Sequence, residues 1–319
     1  MNPIEHHFQT ILNKKQPDNL YRPIEYILMQ SGKRLRPQLV FLASKIFNGD
    51  ETQTLHIAAA FEMLHNFTLI HDDIMDDAEV RRGQPTVFKK WNTNIAILSG
   101  DALAVMAMQQ LQRLNCNPET ILEISKIFTQ TALEICEGQQ YDLDFETADN
   151  ISIDEYLKMI RLKTAVMFAG CLKSGGIFAN ADNESISALY DFGIHLGIAF
   201  QLADDLLDVY ADSSIFGKTI GGDIKDNKKT FLFIKAYELS NDEQRKQLRA
   251  LYSNPTFDEN EKFAKVKSIF DCVNIKKATE TAIKEYSELC YEDIRKINAD
   301  DSKKKELLNL VEKLQNRDK

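Results

Sequence analysis

Two apolar runs in this chain end in the same arrangement of acids, and that repetition limits what the chain can fold into. The first reads Phe67-Thr68-Leu-Ile-His-Asp72-Asp73-Ile-Met-Asp76 and the second Phe200-Gln201-Leu-Ala-Asp204-Asp205-Leu-Leu-Asp208. On a helix, positions four apart share a face, so each cluster presents two carboxylates side by side at the end of an apolar element. One such cluster alone reads as a solvated helix end. Two copies of one spacing, 132 positions apart (204 minus 72), read instead as metal-ligand sets, because acids this close repel one another. A hard cation such as Mg²⁺ relieves that repulsion through one or two carboxylates and completes its shell with water and phosphate oxygens. Arg81 and Arg82 follow the first cluster, with Gly83 and Pro85 marking a turn. Paired arginines beside a metal set point to a phosphate-bearing ligand.

For both clusters to act on one ligand the chain must bring them together. Strand signals are nearly absent and apolar residues recur every three to four positions, which predicts an all-α fold. Helix starts agree: Asn117-Pro118-Glu119 supplies a cap, a first-turn proline and a first-turn acid, and Ser152 with Glu155 has capping-box spacing. Helices are expected from Gln38 to Phe47, from about 52 to 76, 91 to 112, 120 to 145 and 183 to 211, and from Glu280 to Ile297. Gly193 and Gly197 read as close-packing positions, and His195 between them as a satisfied core histidine. No Pro/Gly/Ser-rich linker divides the chain. The expectation is a single large helical bundle around a deep central cavity, one domain over residues 1–319, with a peripheral charged helical region from about 241 onward.

Composition excludes several alternatives. Hydrophobic content of 44% with 27% charged residues suits an ordinary globular core. A net charge of -9 argues against a general nucleic-acid surface. Five scattered cysteines without a Cys-x-x-Cys pair read as reduced thiols of a cytoplasmic protein. The N-terminus lacks a signal-peptide layout, and no apolar run approaches the roughly 20 residues of a membrane helix.

Further cations complete the pattern. Ser31-Gly32-Lys33-Arg34-Leu-Arg36-Pro37 precedes an apolar helix, where the dipole disfavours cations, so Lys33, Arg34 and Arg36 together suggest a held anion. Lys163 and Thr164 open the apolar run from Val166 to Leu172. The polar stretch Glu137 to Asp144 interrupts a helical pattern and faces a cavity or the surface with equal odds. Gly217-Lys218-Thr219 looks like the end of a P-loop, but Asp212 stands where that motif needs its first glycine, and no strand precedes it. A loop bearing Lys218, Lys228 and Lys229 is better read as a lid supplying cations to a metal-bound anion. Acid sets, separate cations and apolar helices fit a ligand with a diphosphate head and a hydrocarbon tail. Mg²⁺ would neutralise the charge on a diphosphate leaving group and so permit heterolysis of an allylic C–O bond. The resulting carbocation would have to be kept dry beside a nucleophilic alkene.

From Gly32 to about Thr230 the chain resembles the trans-isoprenyl diphosphate synthase (polyprenyl synthetase) family. The resemblance rests on Gly-Lys-x-x-Arg, on Asp72-Asp73-Ile-Met-Asp76 followed by Arg81-Arg82-Gly-x-Pro-Thr86, on Lys163-Thr164, and on Phe200-Gln201 with Asp204-Asp205-Leu-Leu-Asp208. It implies head-to-tail transfer: an allylic diphosphate ionises, isopentenyl diphosphate adds, and a proton leaves to the released diphosphate. By position in these motifs, Lys33, Arg36, His65 and Arg82 would hold isopentenyl diphosphate without metal. Asp72, Asp76 and Asp204 would hold Mg²⁺, with Asp208 counted in the metal set and Asp73 supporting. Three ions are expected with diphosphate bound, and Mn²⁺ as a substitute. Arg81, Lys163, Thr164, Gln201, Lys218 and Lys228 would contact the allylic diphosphate, and Asp72, Asp73, Asp76, Arg81, Lys163, Asp204 and Lys218 form the catalytic set. Phe67 and Thr68, five and four residues before Asp72, would limit product length, which favours the C20 product, geranylgeranyl diphosphate, over C15, farnesyl diphosphate. The resemblance also implies a homodimer. The alternatives are a terpene cyclase, whose second metal motif usually carries Asn, Ser and Glu, and a non-catalytic synthase subunit, which typically loses an acid motif.

Overall fold

In the structure, a computed structural model, residues 3–148, 150–211, 221–253 and 258–315 are described. They are overwhelmingly helical, and the strands among them are limited to one two-residue hairpin. The chain forms two compact units, the first made of residues 1–132, 170–190 and 298–303, the second of 133–169, 191–297 and 304–319.

The first unit is built around a long helix whose mid-section is buried on all sides. Helices α1 (Pro3–Leu12), α2 (Asp18–Met29) and α3 (Leu35–Ile46) lead to α4 (Glu51–Met75), and a short α5 (Val87–Lys90) leads to α6 (Thr93–Leu111). Asp50 caps α4 by accepting from the Gln53 amide at 2.8 Å, a contact worth about 1 kcal/mol. Residues 57 to 64 of α4 are all buried, with Phe61 edge-on to Phe128 at 5.3 Å. α3 and α6 pack against it. Beyond α4, β1 (Val80–Arg81) pairs with β2 (Gln84–Pro85) in an antiparallel hairpin. Its two loop residues, Arg82 (φ 53°) and Gly83 (φ 75°), both have positive φ, as a type I′ turn demands. This hairpin is absent from the sequence reading, because two-residue strands leave no alternation to detect.

The second unit confirms the capping box. Glu155 donates its backbone N–H to Ser152 Oγ at 3.2 Å, and its carboxylate accepts the Ser152 N–H at 2.8 Å. That cap starts α8 (Ile153–Ile160), which continues into a π-helical turn, Arg161–Ala165, before α9 (Val166–Phe178). α7 (Pro118–Thr147) runs unbroken through the polar stretch Glu137 to Asp144, where the sequence suggested an interruption. Its first turn is capped by Asn117 Oδ1, which accepts from Glu119 N at 2.9 Å. In α10 (Asn183–Tyr210) a Cβ on Gly193 would lie 2.4 Å from Ala169 Cα, and one on Gly197 2.4 Å from Ala165 Cα. Both glycines therefore serve the close packing expected of them. His195 is a satisfied histidine, its Nδ1 2.7 Å from Asp293 Oδ2. Past the second acid cluster come α11 (Gly222–Lys225), α12 (Phe231–Leu239), α13 (Asp242–Ser253), α14 (Glu259–Cys272), α15 (Ile275–Lys296) and α16 (Asp301–Gln315).

One expectation needs correction. α10 is long and apolar enough to cross a membrane by length and composition, with a mean hydropathy of 1.3 in its best window. Asp191, His195 and Gln201 break the run in sequence. Of that window 61% is buried inside the protein, the behaviour of a core helix.

Candidate active site

The first acid cluster occupies the last turn of α4, and its three aspartates have three surroundings. Asp72 is half-buried and Asp76, the C-cap, is exposed on the same face, while Asp73 is buried. Arg81 holds Asp73, its Nε donating to Oδ1 at 2.7 Å with Nη2 also 2.7 Å from that oxygen. Burial raises the Asp73 carboxyl against the pull of Arg81. Asp73 thus anchors the hairpin to α4. Arg81, expected to contact diphosphate, is bonded to that anchor.

A basic basin lies beside this cluster in the same unit. His65 is surrounded electrostatically by Arg36, Arg82, Arg81 and Arg34, and burial, then those cations, hold its imidazole well below the usual histidine range. It is a neutral ring among guanidinium groups, an environment that would welcome an anion. Lys33 is exposed and Arg36 half-buried. Arg34 corrects the sequence reading. It is buried, and its guanidinium donates to Glu62 Oε1 at 2.7 Å and to the carbonyls of Leu28 and Gln30. Of the three cations read as holding an anion, this one is committed inside the protein. Phe67 meets His71 edge-on at 4.8 Å, and Thr68 Oγ1 donates to the His65 carbonyl at 2.8 Å.

The second unit carries a pocket of about 110 Å³ with both charged and apolar walls. Its wall includes Lys163, Thr164, Gln201, Asp205, Asp223 and Lys228. Lys163 and Thr164 sit on the π-helical turn, a distortion frequent at functional sites. Gly138 of α7 permits it, since a Cβ there would come 2.3 Å from the Lys163 amide nitrogen. Lys163 Nζ donates to Asp142 Oδ2 at 2.6 Å, and Thr164 Oγ1 to Gln201 Oε1 at 3.0 Å. The even odds on the stretch 137 to 144 resolve by residue: Asp142 lines the pocket, while Glu137, Gln140 and Asp144 are exposed.

Asp204 and Asp208 share the half-buried face of α10, and Asp205 is buried. Tyr156 donates its hydroxyl to Asp205 Oδ2, and Gln201 Nε2 donates to Oδ1 at 3.0 Å. Asp208 accepts from the amides of Gly222 at 3.2 Å and Asp223 at 3.1 Å, pinning the start of α11. Burial and Asp208 push Asp223 up to about 7, against the pull of Lys228. Lys229 donates to the carbonyls of Phe145, Glu146 and Ala148 at the end of α7. Lys228 bears electrostatically on Asp223, and both lysines line the pocket. Lys218 lies outside the described residues.

Tyr156 and Asp223 are site residues the sequence reading missed. The Gly221-Gly222 pair before Asp223 was a usable signal, whereas Tyr156 occupies an ordinary core position of an amphipathic helix. Among the described residues no three His, Cys, Asp or Glu side chains converge as a metal cage. The donor sets fit Mg²⁺ in another way. Each cluster offers two carboxylates one turn apart on an accessible face, as expected for an ion that takes one or two carboxylates and fills its shell with phosphate and water.

Residues 17–272 match the Polyprenyl synthetase family. The chain belongs to that family. It is a transferase of the prenyl diphosphate synthase kind. A geranylgeranyl diphosphate synthase of Methanosarcina mazei is 40% identical over 228 residues, covering 72% of this chain and 70% of that protein. A crystal structure of a geranylgeranyl pyrophosphate synthase superposes with a TM-score of 0.93 at 38% identity, covering all of both chains. A geranylgeranyl pyrophosphate synthase of Corynebacterium glutamicum, crystallised with isoprenyl diphosphate and magnesium, gives a TM-score of 0.88 at 25% identity, over 98% of this chain and 97% of that one.

Proposed function

We propose that this chain condenses an allylic diphosphate with isopentenyl diphosphate and makes geranylgeranyl diphosphate, the C20 product. The observation that carries the reading is the presence, in one chain, of two i, i+4 carboxylate faces together with the basic His65–Arg36–Arg82 basin and a pocket lined by Lys163, Lys228 and Lys229 among carboxylates. Two diphosphates need two cationic sites. Asp72 and Asp76 from α4, and Asp204 with Asp208 from α10, would hold Mg²⁺, three ions with diphosphate bound and Mn²⁺ as a substitute. When bound, the metal neutralises charge on the departing diphosphate. Lys163, Lys228, Thr164 and Gln201 bind and orient that diphosphate, with Lys218 and Arg81 assigned to the same ligand from the motifs. Lys33, Arg36, His65 and Arg82 hold the nucleophile's diphosphate, and Phe67 with Thr68 limits the tail. The two acid clusters serve one reaction within one functional domain over residues 1–319.

We also propose a cytoplasmic homodimer. Leu98 and Val105, one face of α6, are 60% and 62% exposed, an apolar surface that a second copy would cover. Light scattering should give twice the 36.5 kDa of the chain; a monomer mass at assay concentration would refute the dimer. For the metal assignment, Asp72→Ala and Asp204→Ala should each lower turnover by on the order of 10³-fold or more with the helical circular dichroism unchanged. Full activity in either variant would remove that aspartate from the site.

A further inference from the structure

Arg34 occupies the left-handed region (φ 49°) as the N-cap of α3, a conformation uncommon for a residue other than glycine. The surroundings are a buried cage. The side chains of Arg34 and Glu62 are 3% and 2% exposed, 2.7 Å apart, and the guanidinium also reaches the carbonyls of Leu28 and Gln30 at the end of α2. Asn66 Nδ2 braces Glu62 from the next turn of α4 through its carbonyl at 2.7 Å. Arg34 Nε and Glu62 Oε2 have no hydrogen-bond partner among the described residues. A buried ion pair that is incompletely satisfied is a poor source of stability, and an apolar pair of similar volume would serve at least as well. Its geometric effect is large. The cage fixes the backbone between Lys33 and Arg36, and Gln38 Nε2 adds a 2.7 Å bond to the Lys33 carbonyl. Gly32 extends the arrangement to the hairpin. A Cβ there would lie 3.2 Å from Cζ and Nη1 of Arg82, so the guanidinium rests against a bare backbone.

We infer that Arg34 and Glu62 are positioning residues for the isopentenyl diphosphate site. Their buried pair holds Lys33 and Arg36 in register, and Gly32 seats Arg82 against the same segment. This rests on the assignment of Lys33, Arg36 and Arg82 to that substrate. Arg34 touches no substrate itself; it acts through its neighbours.

The test is steady-state kinetics on Arg34→Lys, Glu62→Gln and Gly32→Ala, with Arg36→Gln as a reference. Arg34→Lys keeps the charge but loses the planar fork that serves a carboxylate and two carbonyls at once. Gly32→Ala removes no buried charge and only crowds Arg82, so it should fold even if the cage variants do not. In each of the three the KM for isopentenyl diphosphate should rise about tenfold or more, with kcat and the allylic KM within about threefold, since small misplacements of binding groups cost that much. Lowered melting temperature and kcat with both KM values unchanged would show a structural cage only and overturn the inference. An unchanged isopentenyl diphosphate KM in Arg36→Gln would instead refute the substrate assignment. A raised KM in Arg36→Gln with unchanged KM in the other three would leave the assignment standing and sink the positioning role.

Discussion

Arg34 and Arg36 are two positions apart in sequence yet meet opposite environments, one sealed against Glu62 and the other half-exposed beside His65. Burial, more than residue type, sorts the charged groups of this site. The same sorting separates Asp73, held by Arg81, from Asp72 and Asp76. His65 gives it a measurable consequence. Its folded-state pKa lies well below 6.5 because burial and Arg36, Arg82, Arg81 and Arg34 oppose the imidazolium. Below pH 6.5 the unfolded chain therefore binds a proton that the folded one refuses, so this residue's contribution to stability is lost as pH falls from 6.5 toward the folded pKa. NMR titration of the ring should find that low pKa in the ligand-free protein, and a rise when inorganic pyrophosphate fills the basin. A ring titrating near 6.5 in both states would show that no basin surrounds it. The residue types at 33, 36, 65 and 82 were legible from the motifs. Which of the three cations in Lys33-Arg34-Leu-Arg36 turns inward was not, because it depends on Glu62, 28 positions away.

At the scale of elements, helix existence was readable from three-to-four periodicity and caps, since both are local. The Ser152–Glu155 box and the Gly193/Gly197 contacts stand where the sequence places them. The π-helical turn at Arg161–Ala165 and the hairpin at Val80–Pro85 are different in kind. Each is set by a partner distant in sequence or by one pair of φ values, and neither leaves a period to count. Gly138 is the partner of the π turn, and Gly138→Ala should press a methyl onto the Lys163 backbone. Overpacking of this kind costs about 1–3 kcal/mol, and the shift of Lys163 should lower kcat in parallel. Thermal unfolding together with kinetics decides it: a variant with wild-type melting temperature and kcat would show that the turn does not depend on the close approach. Phe67 belongs to this scale too, as a side chain on the face of α4 five residues before the acids. Its ring lies against His71. Phe67→Ala should lengthen the product by one or more C5 units, and an unchanged product spectrum would place the limit elsewhere.

For the molecule as a whole, the net charge of -9 contrasts with the locally cationic basin around His65, so an anion is drawn there by a few guanidinium groups and not by the overall field. The polyprenyl synthetase match over residues 17–272 agrees with the span of the motifs, Gly32 to about Thr230. The all-α class and the chemistry were legible because the two Asp-x-x-x-Asp faces and their accompanying cations are written locally. Product length is not written that way, since the only local signal for it is Phe67 and Thr68 before the first acid cluster. The most direct measurement is to supply the pure protein with Mg²⁺, isopentenyl diphosphate and, in turn, the C5, C10 and C15 allylic diphosphates, and to identify the products by chain length. Every primer should be extended to C20, with release of inorganic diphosphate. Unextended primers, or cyclised hydrocarbons formed without consumption of isopentenyl diphosphate, would contradict the assignment.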